Sequence, residues 1–261
     1  MKKLADGFHD VPEADYHKRP EISKHGLDLI HRCPAAYKHA PEINRTAAMI
    51  LGSALHCAAL EPERYASEYI VSPLFDRRTK KGKADFAEFS ETVGDKEVLT
   101  ADVGAQVASM VDALRKNSSI ARLLDADGEA EKTLIFKNNG IACRSRIDKI
   151  LTDGKIIDLK TAQSAEPNDF GRDSINYRYD VQAAFYVDAV QILTGEVFEF
   201  WFPVIEKKSN LTALYRASSE FLERGRRGYL RDLEIYKRCS DMDVWPEYEI
   251  GDITMPAWAR D

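Results

Sequence analysis

"RIDKILTDGKIIDLKT" (Arg146 to Thr161) decides how this chain folds. Its first half alternates polar and apolar residues, Asp153-Gly154 marks a tight turn, and Ile156, Ile157 and Leu159 read as a short buried strand. Asp158 and Lys160 stand two apart in that strand. Alternate strand residues share a face, so the carboxylate and the ammonium lie on one side, about 6.5–7 Å apart along the backbone. Asp148 precedes Asp158 across the turn, and the register decides whether they meet. A two-residue loop, Asp153-Gly154, pairs Thr152 with Lys155 and sends the aspartates to opposite faces. A three-residue loop, Thr152-Asp153-Gly154, pairs Leu151 with Lys155 and sets Asp148 directly opposite Asp158. That loop needs a left-handed residue at its end, which Gly154 supplies. Like charges across a sheet repel. A hard divalent cation such as Mg²⁺ or Mn²⁺ is a natural compensation, and a solvated, salt-bridged hairpin is the plainer alternative.

The rest of the chain bounds the function. Its 261 residues are 44% apolar and 31% charged, the composition of a soluble protein with a substantial core. No apolar run reaches the roughly 18–20 residues that span a bilayer. The first 20 residues have lysines but no apolar stretch behind them, so no secretory signal is expected, and a cytoplasmic location is. Four scattered cysteines have no zinc spacing, and in the cytosol they stay reduced. A net charge of −6 argues mildly against simple electrostatic DNA binding. Charge is uneven, however: "RRTKKGK" (Arg77 to Lys83) carries five positive charges in seven residues, and "ERGRRGYLR" (Glu223 to Arg231) is a second basic cluster.

Along the chain, residues 1–20 read as a loose lead-in. Ser23 caps a helix that Pro34 ends or restarts, and "TAAMILGSALHCAALEPE" reads as a helix apolar nearly all round, stopped near Pro62. "SEYIVSP" is extended and the basic run is a loop. Helices follow from about Ala84 to Thr92 and after Thr100. Strands are expected at Glu131–Phe136, Ile141–Leu151 and Lys155–Lys160. A polar stretch leads to the helix "RYDVQAAFYVDAVQILTG", which ends at Gly195. The strand "VFEFWFPVIE", a further strand at Leu211–Tyr215, a long final helix and an irregular tail complete the chain. The expectation is a single α/β domain over 1–261, with a central mixed β-sheet flanked by helices, N-terminal helical additions, and a core sheet and helix at 131–204.

"RSRID…IIDLKT" resembles the PD-(D/E)xK nuclease core, with Ile147 where many members have proline. "GSALHCAALEP" resembles the G-x-x-x-H helix of the RecB-like branch, and "QAAFY" its Q-x-x-x-Y helix. Within that branch the chain most resembles the C-terminal nuclease domain of the exonuclease VIII (RecE) family. That likeness runs from "ISKHGLDLIHRCPAAY" through "FDRRTKKGK" and "CRSRIDKI" to "WPEY" and "MPAWA".

The resemblance implies a restriction-endonuclease-like fold and hydrolysis of DNA phosphodiesters with Mg²⁺, for which Mn²⁺ substitutes. Asp148, Asp158, His56 and the backbone of Leu159 are the implied metal ligands. Lys160 is placed to orient the attacking water. Glu131, with Glu129 as its rival, supplies an acid near the metal. Gln182 and Tyr186, one helical turn apart, buttress Lys160 or touch the DNA strand. Arg77, Arg78 and Lys80 are candidate phosphate contacts, as are Arg144 and Arg146, which also neutralise the acids. Phe75 or Phe86 is a candidate to stack on an end base.

The family further implies 5′ to 3′ digestion of linear double-stranded DNA to leave 3′ single strands. It implies a homo-oligomer such as a ring-shaped tetramer, a RecT-type single-strand-annealing partner, and a phage or prophage setting. A Cas4-like or AddB-like nuclease is the enzymatic rival: "RCPAAY" resembles the start of its iron–sulfur motif at Cys33. Only Cys239 lies near the C-terminus, so no iron–sulfur cluster is expected. An inactive DNA-binding or assembly module is the rival from another class. Asp148, Asp158 and Lys160, all present, speak against it.

Overall fold

The computed structural model describes residues 4–41 and 45–255. A short strand, β1 (Gly7–His9), and a turn of helix, α1 (Glu13–His17), come first. The expected loose lead-in is therefore corrected from residue 7 onward. The segment pairs with the sheet, and Tyr16 is buried beneath the guanidinium groups of Arg144 and Arg146.

Helix α2 (Lys24–Arg32) starts where Ser23 Oγ accepts the Gly26 N–H, and Pro34 opens α3 (Pro34–Lys38). Thr46 caps α4 (Ala47–Leu60), and Pro62 begins α5 (Pro62–Glu68). Strand β2 (Tyr69–Val71) precedes α6 (Lys80–Thr92), which begins earlier than the sequence reading placed it. Thr79 is the reason: its side chain accepts the Gly82 N–H, so the second half of the basic run is helical rather than loop. Strand β3 (Glu97–Leu99), α7 (Ala101–Lys116, capped by Thr100) and α8 (Ser118–Asp125, capped by Asn117) complete the N-terminal additions.

The sheet then builds from β4 (Gly128–Asn138), β5 (Ile141–Leu151), β6 (Lys155–Ile157) and β7 (Lys160–Ala162). The stretch read as merely polar contains α9 (Pro167–Asn176), initiated by Glu166 accepting two backbone N–H groups and by Pro167 at the first position. Helix α10 (Tyr179–Thr194) ends on Gly195, and β8 (Glu199–Glu206), β9 (Thr212–Arg216) and α11 (Ser219–Met242) follow.

Strands β1, β4, β5 and β6 pair antiparallel in that order. β6 and β7 both pair parallel to β8, and β9 closes the far edge antiparallel. The parallel pairing of β7 and β8 requires a crossover, and α9 and α10 supply it. The hairpin β5–β6 has the three-residue loop: Leu151 pairs with Lys155, and Gly154 takes φ +86. One expectation is corrected. The strand expected over Lys155–Lys160 is interrupted at Asp158-Leu159, because the Leu159 N–H donates to the Asp148 carboxylate (2.9 Å) instead of to a β5 carbonyl.

Two hydrophobic clusters hold the sheet. One joins α2, α10 and α11 to Phe136, Ile156, Phe200 and Phe202. The other joins α4, α7 and α8 to Leu159 and Ile205. Helices α10 and α11 approach so closely at Gly225 that any Cβ there would collide with the Asp180 carbonyl. Among the described residues, no helix is long and apolar enough to cross a membrane.

Candidate active site

The β5–β6 ladder is recorded from Leu151↔Lys155 to Lys149↔Ile157, and one further step sets Asp148 against Asp158. On the other side, β4 pairs Ala130 with Lys149 and Lys132 with Ile147, so Glu131 stands opposite Asp148. Two carboxylates thus face each other on adjacent strands, and the third, Asp158, lies just past the end of β6. Glu131 itself is left-handed, at φ 52, a conformation that costs a residue with a side chain on the order of 1 kcal/mol or more and that concentrates at functional sites.

Helix α4 brings His56 against this row. Its Nδ1 lies 3.2 Å from Asp148 Oδ2. His56, Glu131 and Asp148 each offer a ligand atom, all within 4.8 Å of one another. One imidazole nitrogen and two carboxylates suit a divalent cation, so the donor set fits a divalent metal. Without a cation, a protonated His56 offsets part of that negative charge. Burial opposes a charged His56, yet Asp148 and Glu131 outweigh it and hold its pKa up at about 9. Burial likewise opposes a charged Asp148, but His56 and Lys160 keep its carboxyl below the usual range.

Asp158 is 1% exposed and faces a second group. It is ion-paired to Lys160, and Gln182 Nε2 donates to its Oδ1 (2.6 Å). Lys160 Nζ donates in turn to Gln182 Oε1 (3.1 Å). Helix α10 therefore fixes both charges of the D-x-K pair with one amide. Burial pushes the Asp158 carboxyl up to about 6, with Lys160 opposing and Asp148 adding to the rise. Burial also works against the Lys160 ammonium, but the two aspartates keep it firmly protonated. Tyr186 is buried one turn along α10, and its hydroxyl meets Gln182.

The structure separates the remaining candidates. His56, Glu131 and Asp148 form one group, and Asp158, Lys160 and Gln182 form the other. Leu159 bridges them through its N–H. Glu129 is turned away to Lys132. Arg146 donates to Glu131 (2.6 Å) and to the Val11 carbonyl (2.7 Å), so it neutralises an acid rather than reaching outward. Arg144 Nη1 donates to the Arg19 and Glu21 carbonyls, so the side chain braces the N-terminal segment. Arg77, Arg78 and Lys80 are exposed, Arg77 lying 4.2 Å over the Phe86 ring and Arg78 paired with Asp76. Phe75 packs on Phe86 and Phe89. Cys33, Cys57, Cys143 and Cys239 are free and buried. Trp245 of "WPEY" stacks on Tyr37, whereas "MPAWA" extends from Met255 beyond the described residues.

The sequence reading missed the left-handed Glu131. It also missed a cavity beside Lys160 lined by Tyr177 and Tyr179. The only available signal for that cavity was the Tyr-Arg-Tyr spacing just before the Q-x-x-x-Y helix.

No curated protein matches the chain. Among solved structures it is similar to a "Putative exonuclease" from Eubacterium rectale, with a TM-score of 0.65 and 14% identity over 95% of this chain and 96% of that one. At that identity the likeness is one of fold. A second structure, SSO0001, reaches a TM-score of 0.28 at 12% identity, over 78% and 84% of the two chains. Residues 26–254 match the family described as PDDEXK-like domain of unknown function (DUF3799). That match takes in α4, the β4–β6 sheet and α10, which carry the whole site, and the chain belongs to this PDDEXK-like family.

Proposed function

We propose that this chain is a divalent-metal-dependent deoxyribonuclease that digests linear double-stranded DNA from its ends. The observation that carries the reading is the pair of adjoining groups around Asp148 and Asp158: a His–Glu–Asp donor set beside a buried Asp–Lys pair held by one glutamine. The PDDEXK-like family supports it.

His56, Asp148, Glu131 and Asp158 would hold the cation, Mg²⁺ by preference. When bound, it supplies Lewis-acid charge that polarises a phosphate oxygen and acidifies water. The chain's own residues do the rest. Lys160, gripped by Asp158 and Gln182, donates towards the attacking water or a phosphate oxygen and steadies the negative charge that grows in the transition state. Water adds to phosphorus, one P–O ester bond breaks, and the leaving oxygen takes up a proton. No protein nucleophile takes part. Tyr186 closes the buried side of Gln182 and keeps water from competing for the amide. Arg146 holds the Glu131 carboxylate in place beside Asp148 and His56.

The likeness to the exonuclease VIII (RecE) family supports the finer reading: 5′ to 3′ digestion, a ring-shaped oligomer, a RecT-type annealing partner, and action in a bacterial cytoplasm with a phage or prophage origin. The exposed Arg77, Arg78 and Lys80 then contact the DNA backbone.

The test is linear duplex labelled separately at its 5′ and 3′ ends, incubated with Mg²⁺ or with EDTA. Wild type should release label in Mg²⁺ alone, first from the 5′ end, and Asp158→Ala and Lys160→Ala should not. Undiminished cleavage in EDTA or in either variant would overturn the mechanism. Early loss of the 3′ label would reverse the polarity.

A further inference from the structure

The cavity beside Lys160 has no role in the reaction described above. Its volume is about 320 Å³, at the small end of ligand sites, and it is lined by Thr161, Gln163, Asp173, Tyr177, Tyr179 and Lys207 among others. Its aromatic wall is made by a short backbone manoeuvre. Helix α9 ends at Asn176 and α10 begins at Tyr179, so two residues make the whole turn. Arg178 takes it in the left-handed conformation, φ 56 and ψ 42, and is held there by ion pairs to Asp28 and Asp232. The result sets the rings of Tyr177 and Tyr179 in a stack, with centroids 5.8 Å apart and planes at 29°.

Two facts separate this stack from ordinary packing. Tyr177 is 62% exposed, although Tyr179 behind it packs inward at a tilt on Phe170, with ring centroids 6.1 Å apart. Tyr179 reaches the catalytic lysine: Lys160 Nζ lies 4.5 Å from its ring centroid. The aromatic surface therefore begins at the group that meets the phosphate and runs outward from it. The chemistry of the lining also says what fits. Asp173 and Lys207 place charges of both signs in the lining, so no net positive charge draws a phosphate there. A flat neutral ring with hydrogen-bonding edges suits stacked tyrosines, an acid and an amide. Phe75 and Phe86, the other aromatic candidates, are taken up by each other and by Arg77.

We propose that Tyr177 and Tyr179 form a stacking platform for one unpaired base of the cleaved strand, the nucleotide whose backbone lies at Lys160. This rests on the nuclease reading and adds to it a base subsite. Every nucleobase has a π-face, so the platform holds the strand without choosing a sequence. It gives the enzyme a way to keep a frayed end from re-pairing with its complement.

The experiment scans a single abasic residue through the last positions of the digested strand in a linear duplex, with Mg²⁺, using wild type, Tyr177→Ala and Tyr177→Phe. Wild type should lose on the order of tenfold in kcat/KM when the abasic residue occupies the platform position, within the range for removing one base–aromatic stack. Tyr177→Ala should lose about as much on intact DNA and nothing further at that abasic position, while Tyr177→Phe behaves as wild type. If Tyr177→Ala cleaves intact DNA as well as wild type, or stays as sensitive to the missing base, the platform is refuted and the nuclease reading stands. A wild type indifferent to every abasic position refutes it even if the alanine variant does not fold. A wild type that cleaves no DNA in Mg²⁺ overturns both.

Discussion

Glu131 offers a test in which the sign of the effect carries the information. Its φ of 52 places it in the left-handed region inside a strand, between two regular ladder pairs. A residue with a Cβ pays about 1–2 kcal/mol for that conformation and glycine pays none. At an ordinary strand position glycine is the worse choice, by about 0.5–1 kcal/mol relative to alanine. Glu131→Ala and Glu131→Gly both remove the carboxylate and both release Arg146, so those losses cancel in the comparison. What remains is the backbone: about 1–2 kcal/mol in favour of glycine less about 0.5–1 against it. Glu131→Gly should therefore be the more stable variant, by up to about 1.5 kcal/mol. Urea unfolding in EDTA, with equal slopes for the two variants, measures the difference. Both should lose cleavage alike. If Glu131→Ala is the more stable of the two, the strand is regular at this point and the strain argument fails.

Three further outcomes follow from the same geometry. Gln182→Ala frees Lys160 and Asp158 from their common partner, and cleavage kinetics should show kcat down by about 10–100-fold with little change in KM; an unchanged kcat would remove Gln182 from the site. His56, whose pKa is raised to about 9 by Asp148 against the effect of burial, stabilises the metal-free protein fully below about pH 6.5, and that contribution is lost as pH rises through 9. Thermal melts in EDTA should fall across that window for wild type and stay flatter for His56→Ala. Gly225→Ala forces α11 away from the Asp180 carbonyl and should cost about 1–3 kcal/mol in chemical denaturation; a neutral result would contradict the close helix contact.

The sequence carried the β5–β6 hairpin well, because a single glycine resolved its register: a left-handed Gly154 closes a three-residue loop, and the loop length alone brings Asp148 to the level of Asp158. His56 was legible as part of a motif, since nothing in an apolar helix marks one histidine as facing a strand. Other parts left weak signals or none. β1 joins the sheet through backbone hydrogen bonds, and three residues show too little alternation to announce a strand. α9 did carry a start signal in Glu166-Pro167, hidden by the polar residues around it. Arg144 could not be read as internal, because its acceptors are two carbonyls more than 120 positions away. The left-handed turns at Glu131 and Arg178 follow from tertiary partners, not from local preference.

The two hydrophobic clusters on either side of the sheet have a mechanical meaning for the reaction. Leu159 is packed into the α4 cluster, while Ile156, in the same interrupted strand, belongs to the α10 cluster. His56 rides on one slab and Gln182 on the other, and the Asp158-Leu159 break lies at the seam between them. The two halves of the site thus lean on different packing. A core substitution beneath α4 should act first on the histidine that faces Asp148, and one beneath α10 first on the grip on Lys160.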